Sequence, residues 1–290
     1  MRIFVTGATG FLGAAIVANL IEAGHQVLGL ARSDAAAAKL REMEAEAHPG
    51  TLDDIDSLRR GAQRADGVIH AAFDHDFSKF VASCKTDHQA IEALGDALSG
   101  TDKPLIVTSG LPITPGRSAT EADAPLTAAD GMPRMSEQTA LGFVDRGVRV
   151  SVIRMAQIHD ARKQGFASYL LDHARQTGLS AYVADGANRW PAVHLRDAAR
   201  LYRRVLEAGT SGARYHAVGE DGVTMGEIAT AIGRKLDLPA VTIATEDVEG
   251  HFGWLARIAQ MDAPASSLQT RRALNWMPQE PALLVNDIAS

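Results

Sequence analysis

The sequence predicts a doubly wound α/β fold, in which helices cover both faces of a mainly parallel sheet. Three observations predict it. A strand, a glycine-rich turn and a helix follow one another at the N-terminus, strand and helix patterns then alternate along the chain, and no repeat or low-complexity segment interrupts them. Alternation of this kind is typical of domains built on a parallel sheet.

The composition limits the classes of partner. The chain has 290 residues and a formal net charge of −6, so it lacks the basic surface that attracts nucleic acid or anionic membranes. Apolar stretches are far shorter than a membrane span, and the first residues lead into a strand rather than a signal peptide, which predicts a cytoplasmic protein. Cys84 is the single cysteine, which excludes an internal disulfide.

The N-terminal segment predicts a β-α-β unit. Residues 3–6 are typical of a short buried strand, residues 11–23 of a helix with apolar side chains at helical spacing, and residues 26–31 of a second strand. Gly24 ends the helix, as a residue in the left-handed conformation does. A glycine-rich turn in this context is the fingerprint of a dinucleotide site.

The three glycines of this turn have separate roles. Gly7 permits a sharp turn, Gly10 lets backbone N–H groups approach a diphosphate, and Gly13 lets the helix pack closely on the strand. The N-terminus of the helix then faces the phosphates with its partial positive charge. The predicted cofactor-binding residues of the turn are Gly7, Thr9, Gly10, Phe11, Leu12 and Gly13.

The string TGATGFLG resembles the TGxxGxxG motif of the extended and atypical short-chain dehydrogenases/reductases. Similar segments continue along nearly the whole chain: DGVIHAAF, PLIVTSG, GVRVSVIRMAQIHD, NRWPAVHLRDAARLY and ASSLQTRRALNWMP. The chain is most similar to the atypical subgroup described as NAD-dependent epimerase/dehydratase-like. The resemblance implies a Rossmann domain and a nicotinamide dinucleotide, and it names no substrate.

The resemblance also divides the chain. Residues 1–154 form the dinucleotide-binding domain, with 180–212 completing it, and residues 155–179 and 213–290 form a small lobe that covers the substrate. Later strands of the sheet are expected near 67–71, 104–109 and 149–154.

A long helix is predicted over residues 76–98, with one apolar and one polar face. Asp87 is counted with the polar face. In dimeric relatives this helix contributes to the interface, so its polar face predicts a monomer or a weak homodimer.

The end of the second strand indicates the cofactor. A site selective for NAD carries Asp or Glu here, whereas this strand is followed by Arg32 and Ser33. A guanidinium pairs well with a 2′-phosphate, so NADP(H) is the preferred cofactor and NAD(H) a possible one. The alternative is that Arg32 is solvated and Ser33 only caps the helix that starts near Asp34.

Further cofactor residues follow the other strands. Asp53 resembles the family aspartate that meets the adenine edge, with a helix N-cap as the alternative. Ligands of a doubly wound sheet bind outside the carboxyl ends of its strands. That rule adds residues at the carboxyl ends of two later strands: Ala71, Ala72, Phe73 and Thr108.

The catalytic motif of most relatives, Tyr-x-x-x-Lys, is absent. The residues four positions after the tyrosines are His173, Gly186, Leu206 and Gly219. In the expected segment, GMPRMSEQTAL, the alignment places Pro133 at the tyrosine position and Glu137 at the lysine position. A glutamate cannot supply the lysine cation, so any catalysis must use other groups.

Three residues are candidates for that catalysis. Ser109 matches the family serine that hydrogen-bonds the substrate carbonyl, and His159 is the predicted proton donor because imidazole titrates near neutral pH. Lys163 follows four residues later, where it could orient a phosphate or tune the imidazole. Solvent and Lys163 are the alternative sources of the proton, and His194 is expected to be structural.

The sequence therefore predicts an NADPH-dependent reductase of a small carbonyl compound. One alternative is a redox-sensing protein that binds NADP(H) without turnover, which the missing tyrosine and lysine favour. Another is an epimerase or dehydratase of a nucleotide sugar. No metal site is expected, because His70 in the segment HAAFDHD belongs to a buried strand end.

Overall fold

The computed structural model describes residues 1–127 and 130–290. A seven-stranded parallel sheet in the order β11-β6-β5-β4-β1-β2-β3 forms its centre, which confirms the predicted doubly wound α/β fold. The strands are β1 (Arg2–Thr6), β2 (Gln26–Ala31), β3 (Glu46–Pro49), β4 (Gly67–His70), β5 (Pro104–Gly110), β6 (Arg149–Met155), β7 (Gln157–Asp160), β8 (Lys163–Gln164), β9 (Ser180–Val183), β10 (Arg189–His194), β11 (Ala213–Ala217), β12 (Glu220–Thr224) and β13 (Ala240–Ile243).

Helices cover both faces of the sheet and build the smaller lobe. They are α1 (Phe11–Glu22), α2 (Asp34–Glu42), α3 (Ile55–Gln63), α4 (Phe80–Leu98), α5 (Ser136–Leu141), α6 (Ala167–Thr177), α7 (Leu195–Ala208), α8 (Met225–Leu236), α9 (Val248–Phe252), α10 (Ala256–Ala259), α11 (Leu268–Leu274) and α12 (Leu284–Ala289). Short 3-10 helices occur at Phe77–Lys79, Val144–Arg146, Thr245–Asp247 and Gly253–Leu255.

Alternating side chains separate two cores. Ile3 and Val5 of β1 face the core shared with α1, α2 and α7, whereas Phe4 faces the core shared with α3, α4 and α5. Ile69 and Val68 of β4 divide in the same way. Because side chains of a strand alternate between faces, this pattern fixes the face on which each later residue of these strands lies.

Local sequence signals explain the first β-α-β unit. The helix α1 ends at Glu22, and Gly24 follows with a φ of +81°, a conformation that glycine adopts without strain. Ser33 caps α2, since its Oγ accepts a hydrogen bond from the backbone N–H of Ala36 at 3.2 Å. The bounds predicted for β2 coincide with those observed.

The lobe is assembled differently from the prediction. β11, at residues 213–217, pairs with β6 and extends the central sheet instead of the lobe. β9 and β10, which fall inside 180–212, pair with β13 and with β7 and β12 respectively, in two small sheets of the lobe. From 180–212, α7 joins the nucleotide-binding part and packs against α1. A short apolar pattern predicts a strand but does not show which strand it pairs with. The sequence therefore does not distinguish β11, which joins the central sheet, from β9 and β10, which join the sheets of the lobe.

A buried ion cluster joins α5 to the sheet. Arg154 of β6 and Glu137 of α5 are both fully buried, and the guanidinium donates to the two carboxylate oxygens at 2.8 Å each. Arg214 of β11 adds a bond of 2.5 Å to the same carboxylate. Glu137, the residue at the expected lysine position, therefore forms ion pairs with two arginines within the protein.

We predict that Glu137→Gln destabilises the protein by about 3–5 kcal/mol, because it leaves the buried Arg154 cation without a counter-charge. Equilibrium unfolding in urea measures the loss. The control is Glu42→Gln, an exposed position at the end of α2, which should change the free energy of unfolding by less than about 0.5 kcal/mol. Equal losses in the two variants would contradict the assignment.

Candidate functional site

The glycine-rich turn is built by close backbone packing. Gly7 has a φ of +68°, and a Cβ placed there would lie 2.9 Å from the Cα and N atoms of Ala72. A Cβ at Gly13 would lie 1.9 Å from the carbonyl oxygen of Gly7. No side chain fits at either position, so the fold itself requires these two glycines.

Gly10 differs from its two neighbours in the motif. Its φ of −73° and ψ of 177° suit any residue, and a Cβ there would meet only the Gly7 oxygen, at 3.2 Å. The fold therefore requires Gly10 much less than Gly7 and Gly13. What a side chain at this position would obstruct is the approach of a ligand to the start of α1.

The N-terminus of α1 is open to an anion. Gly10 precedes it, no side chain caps it, and its first turn carries no acidic residue. The first helical hydrogen bond runs from the N–H of Ala14 to the Gly10 oxygen, so the N–H groups of Phe11 and Leu12 have no helical partner. Side chains do cap other helices: Ser33 caps α2, Asp54 caps α3 and Thr224 caps α8. The open end of α1 fits a diphosphate.

Two cations lie near the end of β2. Arg32 directly follows the strand and is exposed. Lys39 of α2 donates a hydrogen bond from Nζ to the carbonyl oxygen of Thr9, at 2.8 Å, and so lies against the glycine-rich turn. Lys39 is not among the residues predicted from the sequence, although its place on the helix that starts after Arg32 is a usable signal. Ser33 serves as the cap of α2, as described above.

Asp53 is not the cap of α3. Asp54 takes that position, accepting from the backbone N–H of Ser57 at 2.9 Å, so the N-cap alternative for Asp53 is wrong. The carboxylate of Asp53 instead accepts a hydrogen bond of 3.2 Å from the hydroxyl of Thr86 on α4.

A chain of buried hydrogen bonds runs beneath the carboxyl edge of the sheet. Thr6 Oγ1 lies 2.8 Å from His70 Nδ1, and His70 Nε2 lies 3.1 Å from Asp87 Oδ1. Ser136 donates its hydroxyl to the other oxygen of Asp87, at 2.5 Å. All four residues are at most 1% exposed. They connect β1, β4, α4 and α5 through side chains alone.

The burial of Asp87 corrects the predicted polar face of the long helix. Its position continues the apolar stripe of Cys84, Ile91 and Leu94, and that spacing was the signal for a buried carboxylate. Burial raises the pKa of Asp87, but hydrogen bonds from His70 and Ser136 and the charge of Arg134 outweigh it. The pKa therefore lies below its ordinary value, and the carboxylate is charged.

Arg134 occupies the space between the ends of β4 and β5. Its Nε donates to Ser136 Oγ at 2.9 Å and its Nη2 to the carbonyl oxygen of Thr108 at 3.1 Å. Its guanidinium carbon lies 4.1 Å from the ring centroid of Phe73. Arg134 is not among the residues predicted from the sequence, although it directly follows Pro133 at the expected tyrosine position.

Thr108 and Ser109 face opposite sides of the sheet. The hydroxyl of Thr108 donates to the carbonyl oxygen of His70 at 2.9 Å and lies 2.6 Å from the hydroxyl of Tyr202, whose pKa is raised by burial. Ser109 lies on the same face as Val107, the face covered by α4 and α5. Its side chain is partly exposed and makes no hydrogen bond within residues 1–127 and 130–290.

His159 lies away from this edge, inside the lobe. It is 1% exposed, and its Nδ1 and Nε2 lie 2.6 Å and 3.5 Å from carboxylate oxygens of Asp287 and Glu220. Burial lowers the pKa of His159, but the two carboxylates outweigh it and the pKa is raised. A buried imidazole held by two carboxylates joins β7 to β12 and α12, and this position does not suit the predicted proton donor.

Lys163 and His194 lie in two further places. Lys163 is exposed, and its Nζ lies 5.9 Å from the ring centroid of Phe11, so it borders the glycine-rich turn. His194 caps α7 by accepting a hydrogen bond from the backbone N–H of Arg196, at 3.2 Å. The structure therefore brings Ser109 and Arg134 to one edge and leaves His159 apart from them.

Aromatic rings from the segment that follows β4 and from the lobe lie close together. The ring centroid of Phe77 lies 5.5 Å from that of Phe166 and 5.8 Å from that of Trp254, which is 56% exposed. The ring centroid of His75 lies 5.4 Å from that of Phe73. Desolvation and the nearby Arg134 cation lower the pKa of His75. The ligand crevice expected outside the carboxyl ends of the strands is therefore bordered by these rings and by Arg134, whose guanidinium stacks on Phe73.

Sequence comparison supports one family. A model of the NAD dependent epimerase/dehydratase family matches residues 3–86. The chain is 44% identical to an uncharacterized protein of Schizosaccharomyces pombe, covering 100% of this chain and 99% of that one. It is 41% identical to an uncharacterized protein of Saccharomyces cerevisiae, covering 98% and 97% of the two chains. A 4-hydroxy-2-methyl-3-oxo-4-farnesyl-3,4-dihydroquinoline-1-oxide ketoreductase of Stigmatella aurantiaca is 25% identical, over 92% of this chain and 85% of its own.

Structural comparison supports the fold. The dTDP-glucose 4,6-dehydratase DesIV of Streptomyces venezuelae, solved with NAD bound, superposes with a TM-score of 0.76 at 21% identity, over 100% of this chain and 95% of that one. Among the residues described, no helix has the length and apolarity that a membrane crossing needs. The chain belongs to the NAD-dependent epimerase/dehydratase family of the short-chain dehydrogenases/reductases, as an atypical member without the Tyr-x-x-x-Lys motif.

Proposed function

We propose that this protein is an NADPH-dependent oxidoreductase that reduces a small carbonyl compound by hydride transfer. The observation that carries the proposal is the shared location of two features at the carboxyl edge of one sheet. The uncapped N-terminus of α1 offers a diphosphate site there, and Ser109 presents a hydroxyl without a partner among the described residues. The ketoreductase among the relatives supports the same reaction class.

The geometry described above supports the following cofactor-binding residues. The N–H groups of Phe11 and Leu12 hold the diphosphate, and Lys163 adds a positive charge beside them. Arg32 and Lys39 hold the 2′-phosphate that distinguishes NADPH from NADH. Residues around the same edge bind the other parts of the cofactor: Thr9, Asp53, Ala71, Ala72, Phe73 and the carbonyl of Thr108.

When bound, the reduced nicotinamide supplies the hydride. Ser109 donates a hydrogen bond to the carbonyl oxygen of the substrate and so holds the carbonyl at the edge of the sheet. Phe77, Phe166 and Trp254 cover the apolar part of the substrate and exclude water from it. Because His159 is enclosed in the lobe, the proton for the product comes from solvent at the open side of the crevice.

A second candidate is a redox-sensing protein that binds NADP(H) without turnover. The absence of Tyr-x-x-x-Lys favours it, since the group that usually protonates the alkoxide is missing. The two candidates share the cofactor site and differ in whether a hydride leaves it. One isotope experiment therefore separates them.

We predict that deuterium moves from NADPH to a carbonyl compound from one face of the nicotinamide only. The protein is incubated with NADPH deuterated at one or the other C4 position and with a panel of apolar aldehydes and ketones. Mass spectrometry of the alcohols measures transfer, because an enzyme holds the ring in a single orientation. Tight NADPH binding with no deuterated product from any compound would favour the sensor.

We predict that Arg32→Ala weakens NADPH binding by about tenfold or more and changes NADH binding little. A charge-assisted contact with the 2′-phosphate contributes roughly 1.5–3 kcal/mol, and NADH lacks that phosphate. Calorimetric titration measures both affinities. The matched control is Arg41→Ala, an exposed arginine in the last turn of α2. Equal weakening of both cofactors in Arg32→Ala would refute the NADPH preference.

We predict that Gly10→Val abolishes binding of both cofactors and leaves the protein folded. The backbone at Gly10 tolerates a side chain, but a branched one occupies the path of the phosphates to α1. Thermal unfolding checks the fold and calorimetry the binding. Gly250→Val is the control, because a Cβ at Gly250 meets no atom within 4 Å. Undiminished affinity in Gly10→Val would place the cofactor elsewhere.

A further inference from the structure

We infer that Arg134 supplies the positive charge of the active site, in place of the lysine of the Tyr-x-x-x-Lys motif. The inference rests on the proposed carbonyl reduction and deepens it by naming the residue that stabilises the negative charge of the reacting oxygen. Arg134 is not among the residues proposed above to bind the cofactor, although it contacts two of them, Phe73 and Thr108. Its position, orientation and free donor each contribute to the argument.

The position of Arg134 is the carboxyl edge at which ligands of this fold bind. Its guanidinium bonds to the carbonyl oxygen of Thr108 and stacks on Phe73, so it bridges the ends of β5 and β4. Ser109 is the next residue of β5, and its side chain lies on the same face of the sheet as α5. A carbonyl oxygen bonded to Ser109 is therefore on the arginine side of the strand.

The orientation of Arg134 is fixed by buried partners. Its Nε donates to Ser136, whose hydroxyl is in turn held by Asp87, and Asp87 is held by His70. Such a chain restricts the guanidinium more than contacts with solvent do. A donor that is already oriented requires little reorganisation when charge develops on the substrate.

Asp87 pairs with this cation on one side only. Asp87 Oδ2 lies 3.9 Å from Arg134 Nε, so the buried carboxylate faces the Nε side of the guanidinium. Glu137 faces Arg154 and Arg214 instead, and so it does not neutralise Arg134. Among the contacts within residues 1–127 and 130–290, Nη1 of Arg134 makes no hydrogen bond, and the side chain is 18% exposed.

The reaction step balances with these groups. The carbonyl carbon accepts the hydride of NADPH, which becomes NADP⁺, and the π electron pair of the C=O bond moves to oxygen. Arg134 Nη1 and the Ser109 hydroxyl hold the resulting alkoxide. The guanidinium keeps its own protons, because arginine does not deprotonate in proteins. A water molecule of the crevice protonates the alkoxide, and the hydroxide that forms is neutralised by the solvent.

The kinetic test compares Arg134→Ala with Arg146→Ala. Arg146 is the matched control, an arginine that also stacks on a phenylalanine, Phe143, and bonds to a carboxylate, Asp96, outside the crevice. Arg134→Ala should slow hydride transfer in a single turnover by about 100-fold or more, the usual effect of removing one oxyanion donor. NADPH affinity should be preserved, and guanidinium chloride at low concentration should restore part of the rate in this variant alone.

Charge and position are separated by further variants. Arg134→Lys keeps the charge and should retain more of the rate than Arg134→Gln, which is of similar length and neutral. Asp87→Asn should lower the rate through loss of orientation, so Asp87 is a positioning residue. Circular dichroism and thermal unfolding identify a variant that does not fold, in which case the Arg134→Lys and Arg134→Gln pair decides. Wild-type rates in both Arg134→Ala and Arg134→Gln would overturn the inference.

A binding test does not require turnover. Trifluoroacetate, whose carboxylate resembles an alkoxide in charge, is added to the NADP⁺ complex and observed by fluorine NMR. Its signal should broaden with wild type and Arg146→Ala and stay sharp with Arg134→Ala. If no carbonyl compound is reduced, the proposed function fails and this signal alone decides the inference. A sharp signal with wild type, or equal broadening with Arg134→Ala, would overturn it.

Discussion

The buried carboxylate of Asp87 is the constraint on which the candidate site depends. A charged group removed from water must be compensated within the protein, and Asp87 is compensated by His70 of β4, Ser136 of α5 and the cation of Arg134. Each partner comes from a different element. Satisfying one carboxylate therefore fixes the end of the sheet, the long helix α4 and the start of α5 relative to one another, and Thr6 extends the arrangement to the glycine-rich turn.

A second set of charges explains how the protein accommodates the loss of the family motif. Glu137 stands at the lysine position, where a free glutamate would place negative charge beside a substrate oxygen. The structure prevents this by burying Glu137 against Arg154 and Arg214. Positive charge at the crevice is then left to Arg134, three residues earlier. One ion cluster thus joins α5 to β6 and β11, and the other joins β4, α4 and the start of α5.

Local features were predictable and long-range contacts were not. The β1-α1-β2 unit follows from three glycines and one helical pattern, all within residues 1–31, and the structure reproduces it. Asp87 and Ser136 are 49 residues apart, and His159 and Asp287 are 128 apart, so no local pattern connects them. The sequence placed His159 after β6 correctly, but the chain turns into the lobe there, and the carboxylates that enclose the imidazole come from other segments.

The structure of the complex with NADP⁺ tests the central claim most directly. The account predicts the diphosphate at the N-terminus of α1, the 2′-phosphate beside Arg32 and Lys39, and the nicotinamide ring at the edge shared by Ser109 and Arg134. Difference density at these three places would support it. A cofactor bound with its nicotinamide against His159, or away from the carboxyl ends of β4 and β5, would contradict it.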